Sequence, residues 1–188
     1  MRRNVDMTYI VENNGVYGLT KGQFSATADK GSRSKRGAAN DDEPIDLVMM
    51  ALTLGASYVA RGFSGDKDQL VPLIVGAVRH KGAALIDVVS PCVAFNNHPG
   101  STKSYDYVRA HNEAVNRLDF MPERAPITTS QAPGETRDIV MHDGSTMRLK
   151  RLDAEYDPSD KVGAMAYLES HRARGVVVTG LLYVAENA

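Results

Sequence analysis

The spacing of hydrophobic and polar positions changes several times along the chain. Met7-Thr8-Tyr9-Ile10-Val11 is an apolar, partly β-branched run without polar alternation. It predicts a short strand buried on both faces, as in a parallel sheet. A strand of that kind needs neighbours on both sides, supplied by later strands or by chain upstream of it. Ile45, Val48, Met49 and Leu52 then recur at the 3–4 spacing of a buried helical stripe. They predict a helix opened by Pro44, running through Leu54 and stopped at Gly55. Tyr58-Val59-Ala60 reads as a strand. A second helix is predicted from about Asp68 to Lys81, with Leu70, Leu73, Ile74, Ala77 and Val78 facing inward. Pro72 fits that helix only near its first turn. Ala83 to Val89 is a further apolar run and predicts a buried strand. The order β-α-β-α-β implies an α/β fold with a largely parallel sheet and flanking helices.

The pattern differs further on. A helix is predicted from about Tyr105 to Leu118. Ile139-Val140-Met141 and Met147-Arg148-Leu149 flank Asp143-Gly144 and read as a hairpin. An amphipathic helix begins at Ser159 or Asp160 and ends near Arg174, and Thr179 to Val184 forms a last strand. The chain is thus divided into 1–121, an α/β unit, and 122–188, a small α+β extension.

Composition narrows the function classes. The 188 residues carry 22 Lys+Arg against 23 Asp+Glu, a net charge of −1. Such a balance offers no field to a polyanion, so nucleic acid is not an expected partner. No apolar run approaches the roughly 18–20 residues of a membrane span. The single cysteine excludes an internal disulfide framework and any all-cysteine metal site within the chain. The expected setting is the cytoplasm.

In open α/β sheets, ligands gather beyond the carboxyl ends of the strands, and two polar clusters fall there. Asn13-Asn14-Gly15-Val16 is either a plain strand-ending turn or a hard-cation site, since an amide oxygen and a backbone carbonyl suit Mg²⁺. Gly18-Leu19-Thr20-Lys21-Gly22-Gln23 can present backbone N–H groups to phosphate but is not a Walker sequence. Cys92, after the last strong strand, reads as a small buried apolar side chain, a nucleophile with His98 as base, or one ligand of a shared metal cluster. Ser25 to Glu43 reads as a mobile loop whose basic residues form a solvated face. The five histidines show no ligand spacing, and His80 and His171 fall on polar helix faces where solvent is expected.

Several of these blocks together resemble a known family. Glu12-Asn13-Asn14-Gly15-Val16-Tyr17-Gly18-Leu19-Thr20-Lys21-Gly22-Gln23 is similar to a segment of the β subunits of 2-oxoacid:ferredoxin oxidoreductases, those acting on 2-oxoglutarate in particular. Ile86-Asp87-Val88-Val89-Ser90-Pro91-Cys92 resembles a second block. Asp143-Gly144-Ser145, Tyr156-Asp157-Pro158 and Thr179-Gly180-Leu181 resemble the family's C-terminal extension.

The resemblance implies a thiamine-diphosphate-binding fold and an oxidative decarboxylation. A 2-oxoacid and coenzyme A become acyl-CoA and CO₂, and electrons pass to ferredoxin. It implies Asn14 and Val16 as Mg²⁺ ligands on the diphosphate and Gly18, Leu19 and Thr20 along the cofactor; Lys21, by its place in that loop, is expected to read the far carboxylate of a dicarboxylic 2-oxoacid or a phosphate, the alternative being a solvated lysine. Cys92 matches the last of four ligands of a [4Fe–4S] cluster. No side chain here is assigned the acid–base role, because the acid that activates the cofactor is implied to come from an α subunit. Two features depart from the family: the Gly-Asp-Gly aspartate that completes the Mg²⁺ site and three of the four cluster cysteines are not in the sequence. The chain is therefore expected to be the C-terminal portion of such a β subunit, inactive alone. Ser25-Ala26-Thr27 also stands where the family often has Ser-Pro-Thr. The alternative from another class is a non-catalytic α/β assembly module or a remnant without cofactor.

Overall fold

The computed structural model describes residues 1–20, 22–34, 37–116, 128–141 and 146–185. In chain order the elements are β1 (Met7–Asn13), α1 (Leu47–Thr53), β2 (Tyr58–Phe63), α2 (Lys67–Arg79), β3 (Ala83–Val89), α3 (Tyr105–His111), β4 (Asn112–Asn116), β5 (Thr136–Val140), β6 (Thr146–Arg151), α4 (Lys161–Arg172) and β7 (Val177–Val184). The strands form one sheet in the order β1-β3-β2-β7-β4-β6-β5. β1, β3 and β2 are mutually parallel. β7 enters antiparallel to β2. β4 then runs parallel to β7 and to β6, and β5 closes the far edge antiparallel to β6. The expected largely parallel sheet with flanking helices is what forms. The sheet runs without a break from β2 into the strands of the C-terminal third.

Alternation along β2 and β3 builds two cores. Val59 and Leu85 pack with Val48, Ala51 and Leu52 of α1 and with Ala164 and Leu168 of α4. Tyr58, Ala60, Ala84, Ile86 and Val88 point to the other face, against Leu73 and Ala77 of α2. Every residue of β2 and β3 is buried, as expected of strands covered on both faces.

Several sequence expectations are corrected. β1 is an edge strand, bonded only to β3 among the described residues, and Met7, Tyr9 and Ile10 are exposed rather than buried. α1 starts at Leu47, not Pro44. Asp46 is its N-cap, accepting from the amides of Val48 and Met49, and Ile45 outside the helix is exposed. α2 carries Pro72 at its sixth residue, beyond the first turn, and Val78 faces solvent. The helix expected to Leu118 ends at His111, where Asn112 turns directly into β4, which is held between β7 and β6. Leu118 itself lies outside the described residues, as does the Asp143-Gly144 turn of the hairpin formed by β5 and β6. The loop from Ser25 to Glu43 is tied down: buried Asn40 donates from its side-chain amide to the carbonyls of Ala28, Asp29 and Asp42. His171 is buried, with Nε2 3.3 Å from Glu113 Oε1, and His80 Nε2 is 2.7 Å from Ser57 Oγ. No described helix is long and apolar enough to cross a membrane.

Candidate functional site

The carboxyl ends of β1, β2 and β3 lie side by side because the three strands are parallel and in register. Val11 and Arg61 both flank Asp87, and Asn13 flanks Val89. The chain leaves β1 in a tight turn. Asn14 Oδ1 accepts from the Val16 amide at 3.0 Å, and Gly15 sits at φ +69°. That left-handed conformation, and the crowding around it, suit glycine. A Cβ on Gly15 would lie 2.8 Å from Lys103 Cδ and 2.9 Å from Asn96 Nδ2.

The loop after β3 closes on this turn. It starts at Cys92, a half-buried free thiol whose carbonyl accepts from the amides of Phe95 and Asn96. Asn96 then donates from its side chain to the Asn14 carbonyl at 2.8 Å. The structure thus brings together the turn Asn14–Val16, the glycine-containing stretch from Gly18 and the Cys92 loop, whose Phe95 ring faces Gly18. Leu19 is almost fully exposed and lines an open depression with Val16, Gly18 and Thr20. Lys21 lies outside the described residues. His98, the base considered for Cys92, has its Nδ1 2.9 Å from the Pro99 carbonyl. The described residues contain no group of three or more His, Cys, Asp or Glu placed to hold a metal ion.

Beneath the turn is a charged layer. Arg61 Nε donates to Asp87 Oδ2 at 3.0 Å, and Arg61 Nη2 donates to Asp46 Oδ1 at 2.6 Å. Burial disfavours the Arg61 charge, but the two carboxylates outweigh that and raise its pKa above the ordinary value. Burial likewise pushes the Asp46 carboxyl up. The Arg61 charge and the amides of Met49 and Val48 overcome this and hold it below its usual value. Asn13 Nδ2 donates to Asp87 Oδ1 at 3.0 Å, and Thr27 Oγ1 donates to Asn13 Oδ1 at 2.7 Å. Asp29 accepts from the Thr102 amide and hydroxyl and from Lys103 Nζ, the last at 3.2 Å.

Two cavities meet here. One of about 220 Å³ is lined by Asn13, Thr27, Asp46, Arg61, Asp87 and Lys103. The other, of about 330 Å³, is lined by Gly15, Val16, Gly18, Ser25, Arg33 and Asn96. Asp29 contributes to the walls of both. Sequence reasoning missed Asp29, Asp46, Arg61, Asp87 and Lys103. A signal was present for one of them: Asp87 is a charge inside the apolar run Ala83–Val89 that reads as a buried strand.

Residues 1–88 match the C-terminal TPP binding domain of thiamine pyrophosphate enzymes. The 2-oxoacid:ferredoxin oxidoreductase subunit beta of a Sulfolobus species is 39% identical over 140 residues, covering 74% of this chain and 43% of that protein. The 2-oxoglutarate oxidoreductase subunit KorB of Mycobacterium tuberculosis is 37% identical over 98 residues, covering 52% of this chain and 26% of that protein. A solved 2-oxoglutarate:ferredoxin oxidoreductase from Magnetococcus marinus, with 2-oxoglutarate, coenzyme A and succinyl-CoA bound, is similar over all of this chain and 50% of its own, with a TM-score of 0.68 and 30% identity. The chain spans half or less of the length of each of these relatives.

Proposed function

We propose that this chain, a homologue of the β subunits of 2-oxoacid:ferredoxin oxidoreductases, supplies part of a thiamine diphosphate site in such an enzyme. The observation that carries the reading is the turn Asn14–Val16 at the carboxyl end of parallel strand β1, clasped from the side by Asn96. The proposed partners are an α subunit and ferredoxin, and the proposed substrates are a 2-oxoacid, 2-oxoglutarate foremost, and coenzyme A.

The donor chemistry of the turn fits Mg²⁺. The Asn14 side-chain oxygen and the Val16 carbonyl are neutral hard oxygens on adjacent corners of a rigid turn. Asn14 Oδ1 uses one lone pair on the Val16 amide and keeps a second for a ligand. Two neutral oxygens would bind the cation weakly, so the rest of its ligands would have to be anionic oxygens supplied by the diphosphate and by other protein groups. Thiamine diphosphate, when bound, supplies the carbon nucleophile and electron sink that decarboxylation requires. This chain's contribution is to hold and orient: Asn14 and Val16 fix the diphosphate end through Mg²⁺, and Gly18, Leu19 and Thr20 line the cofactor's flank.

Lys21 is proposed to meet the far carboxylate of a dicarboxylic 2-oxoacid. Lys21→Met then raises KM for 2-oxoglutarate more than for pyruvate. For a [4Fe–4S] cluster the residues do not suffice, because one thiol cannot replace four. Cys92 is proposed as one ligand of a cluster that other thiolates complete.

The test is calorimetric titration of thiamine diphosphate, with Mg²⁺, into the complex containing this chain, beside 2-oxoglutarate-dependent reduction of a viologen dye. Asn14→Leu removes the amide oxygen, and both affinity and turnover should collapse. Unchanged Mg²⁺ dependence in that variant would refute the assignment.

A further inference from the structure

Thr27 and Ser25 stand at the end of a hydrogen-bond chain that begins at the buried Arg61–Asp87 pair and passes through Asn13, the residue preceding the turn. Its members come from three strands and one loop. Arg61 is on β2, Asp87 on β3 and Asn13 on β1, with Thr27 and Ser25 in the loop beyond. Asn13, Thr27, Arg61 and Asp87 are all buried.

The direction of every bond follows from donor and acceptor chemistry. A guanidinium can only donate, so Asp87 Oδ2 accepts from Arg61. The other Asp87 oxygen also accepts, so Asn13 must turn its NH₂ toward it and its carbonyl oxygen toward Thr27. Thr27 has one hydroxyl proton, and it goes to Asn13. The Ser25 hydroxyl, 3.2 Å from Thr27 Oγ1, is therefore the donor in that contact, while its oxygen accepts from the Thr27 amide. One carboxylate thus sets the orientation of three further side chains. The chain runs from the smaller cavity to the wall of the larger one, which Ser25 and Val16 both line.

We infer that Asp87 is a positioning residue for the turn Asn14–Val16, acting through the fixed carboxamide of Asn13 and the Thr27 hydroxyl. The inference rests on the reading of that turn as the Mg²⁺-diphosphate site. Asn13 is the last residue of β1, and its backbone carbonyl accepts from the Ser90 amide at 3.0 Å. Its side chain is therefore a further hold on the turn from the β1 side, beside the Asn96 bond to the Asn14 carbonyl and the Val16–Phe24 bridge. With that side chain held between Asp87 and Thr27, the Asn14 oxygen and Val16 carbonyl present one geometry to the cation. With it released, the same ligands remain but one of the restraints on their spacing is lost. Outer partners that orient metal ligands typically change metal affinity about 10–100-fold when removed.

The experiment measures the Mg²⁺ concentration for half-maximal thiamine diphosphate binding in the intact complex, with circular dichroism and thermal melts on the same samples. Asp87→Asn cannot accept from both Arg61 and Asn13, so it should raise that concentration about 10-fold or more. Thr27→Val removes the hydroxyl at constant shape and should raise it in the same direction. Thr27→Ser restores the donor and should return it to the wild-type value. If Asp87→Asn does not fold, the Thr27 pair decides the question alone. Folded Asp87→Asn or Thr27→Val with an unchanged Mg²⁺ requirement, while Asn14→Leu loses binding, would overturn the positioning role and leave the turn assignment standing. An unchanged requirement in Asn14→Leu as well would overturn the turn assignment itself.

Discussion

The Lys103 side chain lies across Gly15. Its Cδ is 2.8 Å from where a Cβ on that residue would stand, and its ammonium reaches Asp29 at 3.2 Å. The stem of a buried lysine thereby packs the back of the turn while its charge is neutralised one layer below. Gly15→Ala meets both this contact and a φ of +69°. It should cost about 1–3 kcal/mol of stability, the range for a residue forced into a sparsely populated backbone region. Equilibrium urea unfolding of the complex-derived chain and of the variant checks this, and equal midpoints would contradict it.

In the layer under the site Arg61 is bonded to two carboxylates, half-buried Asp46 and buried Asp87. Arg61→Met keeps much of the bulk but leaves Asp46 and Asp87 without their counter-charge. Breaking one side of a buried pair costs on the order of 3–5 kcal/mol. Arg61→Lys should recover part of that loss, because one ammonium cannot reproduce the planar two-bond fork. Chemical denaturation of the three proteins ranks them. A methionine variant as stable as the arginine form would refute the account.

Acid unfolding should show the Asp46 carboxyl directly. Its pKa is held below the usual value in the folded protein, so it contributes stability at any pH above the unfolded value. That contribution is lost as pH falls below about 3.9 and through the lower folded value. Asp46→Asn should lower stability at neutral pH and flatten the dependence below about pH 4. The exposed pairs Lys30–Glu43 and Arg172–Glu169 should contribute little to that slope because solvent screens them. Urea midpoints across that range, with and without the substitution, give the comparison. Parallel curves would remove Asp46 from the explanation.

Gly180 in β7 has φ +130°, and a Cβ there would run into the backbone carbonyl of Val115 in β4. Backbone cannot move aside as a flexible side chain can. Gly180→Ala should therefore part β7 from β4 and destabilise the protein by several kcal/mol, at the upper end of single-substitution effects (about 4–5 kcal/mol). Hydrogen exchange should show the loss first at the β4 and β7 amides. Uniform protection across the sheet would argue against this contact as the cause.

The sequence by itself determined the elements whose cause is local. The apolar run Ala83–Val89 forms the strand with those bounds, and the 3–4 spacing within 67–79 and 161–172 forms α2 and α4. The Asn-Gly turn after β1 was legible because few residues accept positive φ, and the block resemblance extended that turn to a proposed cofactor site. Tertiary structure decided what depends on partners distant in the chain. Asn112–Asn116 has no strong preference of its own and becomes a strand because β6 and β7, more than thirty and sixty residues later, leave it a place between them. β1 has the composition of an interior strand, yet its position at an edge follows from strand order, which no local pattern encodes. Asp29, Asp46, Arg61 and Lys103 each read as ordinary charged residues in a linear scan, and Asp87 stood out only as a charge within an apolar run. They became a site component only when the fold brought opposite charges together in a largely buried layer, where each must find its partner.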